Sequence, residues 1–91
     1  MKIIALIADP SDSVVTLTAA VKKGDTVAYY CGGSVLSLTA GQDIPEYHKL
    51  AVCAVEKGRP VLKYGEIIGI ARCGISPGEH VHTHNLSSDG R

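Results

Sequence analysis

Arg59-Pro60-Val61-Leu62-Lys63-Tyr64-Gly65-Glu66-Ile67-Ile68-Gly69-Ile70-Ala71 is the stretch on which the fold turns. Apolar and β-branched residues run up to Gly65 and resume beyond it, which predicts two short strands, 61–64 and 66–71, around a glycine turn. Gly74 and Gly78 then break the chain again before His80-Val81-His82-Thr83-His84-Asn85, where three of the four histidines stand at alternate positions. If 81–86 is the last strand, His80, His82 and His84 share one face, and Val81, Thr83 and Asn85 share the other.

Working outward, one pattern recurs: Val21-Lys22-Lys23-Gly24-Asp25-Thr26-Val27, Val55-Glu56-Lys57-Gly58-Arg59-Pro60-Val61 and Ile75-Ser76-Pro77-Gly78-Glu79-His80-Val81. Each has an apolar residue, two further residues, a glycine, two more residues and a valine. Glycine supplies positive φ at no steric cost, and Pro77-Gly78 is the pairing expected at the centre of a type II turn. The three copies read as turns joining strands, with hairpin chemistry as the plain explanation. Their unequal spacing argues against a solenoid.

Between the first two copies, 26–30 and 34–39 form a predicted hairpin around Cys31-Gly32-Gly33, and 40–46 reads as loop. An alternating run from Leu50 to Val55 follows. Upstream, 2–8 is a plausible first strand stopped by Asp9-Pro10. Ser11-Asp12-Ser13 resembles a helix N-cap ahead of Val14, Val15, Leu17, Ala19, Ala20 and Val21, a segment that admits either a helix or an extended run. The cap and the alanines favour one or two helical turns near 13–21, while Val14, Val15 and Thr16 favour extension. Residues 87–91 form a polar tail expected to fray. The expectation is one all-β domain over 1–91, built of short strands and tight glycine turns, with that short helix as its one exception.

Composition bounds the function. A 91-residue chain has little core left to enclose a substrate-sized cavity, so a shared active site is expected. Nine basic residues balance nine acidic ones, and neither a basic run nor an aromatic platform is present, which argues against nucleic acid. The apolar start is too short for a signal sequence and no window approaches a membrane span, so the expected location is cytoplasmic. Cys31, Cys53 and Cys73 are odd in number and lack a C-x-x-C, so no disulfide framework is suggested; they are expected to be small buried apolar groups.

Two imidazoles at alternate strand positions can converge on one metal ion, with zinc, iron, copper and nickel the usual partners; engaging all three would require the strand to bend. The plain alternative is an exposed polar face. His48-Lys49 is a second candidate, able to offer a proton and an anion clamp. Lys63-Tyr64-Gly65-Glu66 is a third, with a cation, a phenol and a carboxylate around one glycine, although a strand turn explains it equally well.

Ile44-Pro45, His48-Lys49-Leu50-Ala51, Lys57-Gly58, Val61-Leu62-Lys63-Tyr64-Gly65, Ile68-Gly69, Ala71, Ile75 and Gly78-Glu79-His80-Val81-His82-Thr83-His84-Asn85 together resemble the SAF-type domain of the altronate and galactarate dehydratase family. The resemblance spans roughly residues 5–87 and is strongest after Ile44. It implies a β-clip fold and work as the small subunit of a hydroxy-acid lyase, with a separate large catalytic subunit completing the site. The implied reaction removes water from a sugar acid such as altronate to give a 2-keto-3-deoxy acid; the similar sulfolactate sulfo-lyase is the alternative. Under this resemblance His82 and His84 are the expected metal ligands, with iron, zinc or manganese the candidate ion. His48, Lys49 and Tyr64 are the expected catalytic groups, and Lys63, His80 and Asn85 the substrate contacts. A higher oligomer is compatible with it. Tyr47 departs from the family pattern, because relatives often carry a small residue such as glycine beside this histidine. Two further readings stand beside the lyase: a non-catalytic SAF-type module binding a sugar acid or a partner protein, and a purely structural subunit.

Overall fold

The computed structural model describes residues 2–87, and its regular elements are nine short strands. These are β1 (Ala5–Leu6), β2 (Val14–Leu17), β3 (Thr26–Cys31), β4 (Ser34–Thr39), β5 (Lys49–Ala51), β6 (Pro60–Lys63), β7 (Glu66–Ala71), β8 (His80–Val81) and β9 (Leu86–Ser87). All-β architecture is as expected, and no helix occurs among the described residues, so none is long and apolar enough to cross a membrane. The sheets are β1-β2-β5-β8, the hairpin β3-β4, and β6-β7-β9.

The helical turns expected near 13–21 are not formed. Val14-Val15-Thr16 carry β-branched side chains that fit a sheet better than a helix, and Val14–Leu17 pairs with both β1 and β5. The cap-like residues serve another element. The Asp12 carboxylate accepts N–H bonds from Asp9 (3.0 Å), Tyr64 (3.0 Å) and Gly65 (2.9 Å), while Ser13 Oγ accepts from Leu62 N–H (3.1 Å). Residues expected to start a helix instead fasten the tip of the β6–β7 hairpin.

The three turn copies are not hairpin loops, and there is a fourth. In each, the residue at the fourth position of the pattern takes positive φ: Gly24 at 94°, Tyr47 at 68°, Gly58 at 86° and Gly78 at 91°. Each is closed by an i to i+3 bond, His48 N–H to the Pro45 carbonyl (3.2 Å) in the Tyr47 turn. The segment expected as loop over 40–46 thus contains Ile44, the first residue of that turn, which exchanges two backbone bonds of 2.9 Å with Val21.

These turns interlock in pairs. Gly24 N–H bonds to the Ala40 carbonyl and Ala40 N–H to the Asp25 carbonyl; reciprocally, Tyr47 N–H bonds to Leu17 and Leu17 N–H to His48. The second pair repeats the scheme with Gly58, Ala71 and Arg59, and with Gly78, Ala51 and Glu79, around the bridge Val55–Ile75. The chain is therefore two similar clasps, each carrying a long hairpin.

Each clasp has its own core. Val15, Leu17, Val21, Val27, Ile44 and Leu50 are buried together in the first, and Val14, Ala51, Val55, Val61, Ile75 and Val81 in the second. Alternation along β2 and β5 sends neighbouring side chains to opposite cores, so the β1-β2-β5-β8 sheet is the wall between them. Burying one such Val or Leu side chain is worth about 1.5–3 kcal/mol, so this wall carries much of the stability.

Four further expectations change. The first strand is only Ala5–Leu6, with Ile3 bridging Ala28, and the run from Leu50 pairs only to Ala51. Cys53 and Cys73 are exposed rather than buried, because both fall on the bends that link β5 and β7 to the Val55–Ile75 bridge; Cys31 packs partly against the first core. Of the tail expected over 87–91, Ser87 is buried in β9, and 88–91 lie outside the described residues.

Candidate functional site

The last strand expected over 81–86 is interrupted, and the interruption builds the site. β8 stops at Val81, residues 82–85 turn, and the chain re-enters a sheet at Leu86. Asn85 closes the turn: its Oδ1 accepts the His82 N–H (3.0 Å) and its Nδ2 donates to the His80 carbonyl (2.9 Å). Asn85 is 1% exposed, so the residue expected to touch substrate lies beneath the turn with both ends of its amide on the backbone. Face alternation fails past Val81 for the same reason.

The bend brings the histidines together, and β5 adds the fourth. Lys49 pairs with Val81 and Leu50 with His80, which puts His48 on the face of His80. His48 Nδ1 lies 2.8 Å from His80 Nε2, a hydrogen bond in which one ring donates and the other accepts. The His48 and His82 ring centres are 4.7 Å apart, and His80 stacks on His82 at 5.5 Å with 9° between planes. One nitrogen from each of His48, His80 and His82 lies within 4.8 Å of the others. His84 meets the group only through His80, at 5.5 Å between rings.

His80 is the electrostatic centre. Burial, then the neighbouring His48, His84, His82 and Lys49, push its imidazole pKa down to about 4, so it is neutral with a lone pair available near pH 7. The His80 backbone N–H donates to Gln42 Oε1 (3.1 Å), a contact supplied by the loop of the first clasp. Nothing in the local sequence singles out Gln42; only its place after Ala40, the residue bonded to the Gly24 turn, would have drawn notice.

The lysines continue the same surface. Burial and the nearby Lys63 lower the Lys49 pKa, which places the two ammonium groups within electrostatic range of each other. Lys63 lies 5.0 Å over the Tyr64 ring, and both line a cavity of about 420 Å³ with Leu6, Ile7, Ala8, Val14 and Thr16. Thr16 is the cross-strand partner of Lys49. Among the described residues no carboxylate pairs with these lysines or histidines. The surface is thus a cluster of imidazoles beside two partly buried, uncompensated cations, which suits a small anion and a metal ion better than a peptide or a polyanion. Three nitrogens on one zinc-like ion stand about 3 Å apart, so the trio would fit an ion once the His48–His80 bond opens slightly and the wider separations, up to 4.8 Å, close.

The altronate/galactarate dehydratase SAF-domain profile matches residues 3–89. The chain belongs to this family. Among curated relatives of this SAF domain, the altronate dehydratase of Escherichia coli (strain K12) is 45% identical over 53 residues, covering 58% of this chain and 11% of that protein. The altronate dehydratase of Bacillus subtilis (strain 168) is 32% identical over 78 residues, covering 86% of this chain and 15% of the relative. The (2R)-sulfolactate sulfo-lyase subunit alpha of Paracoccus pantotrophus is 50% identical over 51 residues, covering 56% of this chain and 76% of that subunit. The SAF domain here therefore corresponds to a small part of the dehydratases and to most of the sulfo-lyase subunit. It is a lyase-associated domain.

Proposed function

We propose that this SAF domain is the small subunit of a hydroxy-acid lyase and that His48, His80 and His82 form one wall of an active site completed by a large catalytic chain. The observation that carries the reading is the convergence of these three histidines across β5 and β8, beside Lys49 and Lys63, in a chain of this family. The proposed reaction is loss of water from a sugar acid such as altronate. The C–H bond beside the carboxylate breaks, its electron pair forms the C=C bond, the β-hydroxyl leaves with a proton as water, and the enol tautomerises to the 2-keto-3-deoxy acid.

His48, His80 and His82 would hold a divalent ion, iron, zinc or manganese. Such an ion would supply positive charge to stabilise the enolate-like intermediate. In this assignment His48 replaces His84 beside His82, because His48 is within ligating reach of the others. Lys49 and Lys63 bind the substrate carboxylate, and the lowered pKa of Lys49 suits it to proton transfer as well. Tyr64 offers a phenol at the same cavity, and Asn85 positions His80 and His82 from below.

A second reading has support of its own. The sulfo-lyase alpha subunit is itself short, and the match covers most of it, which favours a separately encoded small subunit and admits sulfolactate as substrate. Co-expression with a large lyase chain and assay on both acids tests the two. The expected result is elimination from one acid, with none from this chain alone, and a loss of about a hundredfold or more in His48→Ala and His80→Ala. Full turnover by the assembled double variant would overturn the site assignment.

A further inference from the structure

Within the sheet β1-β2-β5-β8, β8 is an edge strand. Leu50 stands opposite His80, and the neighbouring pair is bonded, the Ala51 N–H donating to the Glu79 carbonyl (2.9 Å). Bonded and unbonded pairs alternate in an antiparallel ladder, so the backbone N–H and carbonyl of His80 point away from β5. Among the described residues no strand lies beyond β8. Two side-chain amides take its place. Asn85 Nδ2 donates to the His80 carbonyl (2.9 Å), and the His80 N–H donates to Gln42 Oε1 (3.1 Å).

The two amides differ in origin. Asn85 belongs to the turn that follows β8, whereas Gln42 arrives from the first clasp, 38 residues from His80 in sequence. The preceding residue crosses with it, since the Gly41 N–H donates to the Gly78 carbonyl (2.8 Å). Beyond Gln42, Ile44 is buried and exchanges two backbone bonds with Val21, and the Tyr47 turn closes with the His48 N–H on the Pro45 carbonyl. His48 Nδ1 then meets His80 Nε2 at 2.8 Å. One anchored segment of the first clasp thus holds His80 at two points, its backbone through Gln42 and its ring through His48.

The ladder itself gives His80 little further support. β8 is two residues long and pairs with β5 at those two positions. A ligating side chain has to be held within about 0.5 Å of its working place, and hydrogen bonds from the residues behind it are the usual means.

We propose that Gln42 is a positioning residue for the histidine trio: by holding the His80 backbone from the first clasp, it sets the His80 ring against His48 and tightens the grip of the trio on a divalent ion. The ion rests on the lyase reading of this site; the alignment of the two rings does not. Methionine at position 42 keeps the length of the side chain and removes the amide acceptor, whereas glutamate keeps an acceptor there.

The test uses the full chain with Gln42→Met, Gln42→Glu and, as a control for lost stability, Gly58→Ala, whose added Cβ meets open space in a turn that carries no histidine. Cobalt(II) binding is followed by visible absorption, and the proton shared by His48 and His80 is followed in the metal-free chain by NMR of the ring nitrogens, with Tm alongside. Gln42→Met is expected to lower Tm by about 4 °C, to weaken cobalt binding about tenfold and to remove the shared-proton signal. Gly58→Ala loses a similar Tm and binds cobalt within about twofold of wild type. Gln42→Glu keeps the signal and binds at least as tightly as wild type. Cobalt binding by Gln42→Met within about twofold of wild type, or an equal loss in Gly58→Ala, overturns the proposal. Absence of cobalt binding by the wild-type chain instead overturns the metal reading of the site. The shared-proton signal then decides Gln42 by itself: its loss in Gln42→Met upholds the positioning role, and its retention there, or its absence from wild type, overturns it.

Discussion

The two clasps follow one chain path and differ in what they carry. Around Val21–Ile44 and around Val55–Ile75 the same backbone groups are bonded in the same order, with a core beneath each. Yet the histidines converge at one place, where the Tyr47 turn leads into β5 and the Gly78 turn leads into β8. The opposite pair of turns, at Gly24 and Gly58, leads into the long hairpins and carries no histidine. Repetition supplies rigidity, and the departures from the repeat gather the proposed site, with His48 and His80 at a shared sheet edge.

The comparison is broken most severely at Gly78. A Cβ there would run into the Thr39 carbonyl oxygen, whereas at Gly24 and Gly58 the same atom meets open space. Gly78→Ala should therefore cost about 3 kcal/mol in urea unfolding, from positive φ plus overpacking, against about 1 kcal/mol for Gly24→Ala. Equal costs would mean that the turns are equivalent after all. The hairpins give the next contrast. Asp12 is buried and, of the two hairpin tips, holds only the one with Tyr64, together with the Asp9 N–H, so Asp12→Ala should cost about 2 kcal/mol by stranding three N–H groups. Amide exchange should then accelerate at Tyr64 and Gly65 while Gly32 and Gly33 keep wild-type rates.

The smallest effect separates the histidine edge from the rest by pH. Because the folded pKa of His80 lies near 4, below the unfolded value of about 6.5, the unfolded chain binds more protons in that interval. Stability is full above about pH 6.5 and declines as pH falls towards 4. With a chelator present the loss should be about 1 kcal/mol, allowing for solvent screening of a partly exposed ring, and His80→Gln should flatten it. A slope unchanged by that substitution would assign the titration to other groups.

Strand content and the glycine turns were legible because β-branched residues and Pro-Gly pairing act locally. The β3–β4 and β6–β7 hairpins lie within a residue of their expected bounds. The fourth turn was hidden because Tyr47 occupies a glycine position, and Ser11-Asp12-Ser13 misled because capping chemistry serves any exposed N–H group, a hairpin tip as well as a helix start. The histidine site was half legible. Alternation grouped His80, His82 and His84, but His48 joins through the antiparallel β5–β8 pairing, 32 residues from His80, and no local pattern encodes that. Asn85 looked like a ligand contact because its burial depends on the turn that it closes.

The central claim is that the ligand set crosses the two clasps and is not a single-strand His-x-His pair. Cobalt(II) titration of this chain, followed by visible absorption, tests it directly with His48→Ala and His84→Ala. The account predicts that His48→Ala weakens cobalt binding by about tenfold or more while His84→Ala stays within about twofold of wild type. Loss of binding in His84→Ala, with His48→Ala unchanged, would contradict it.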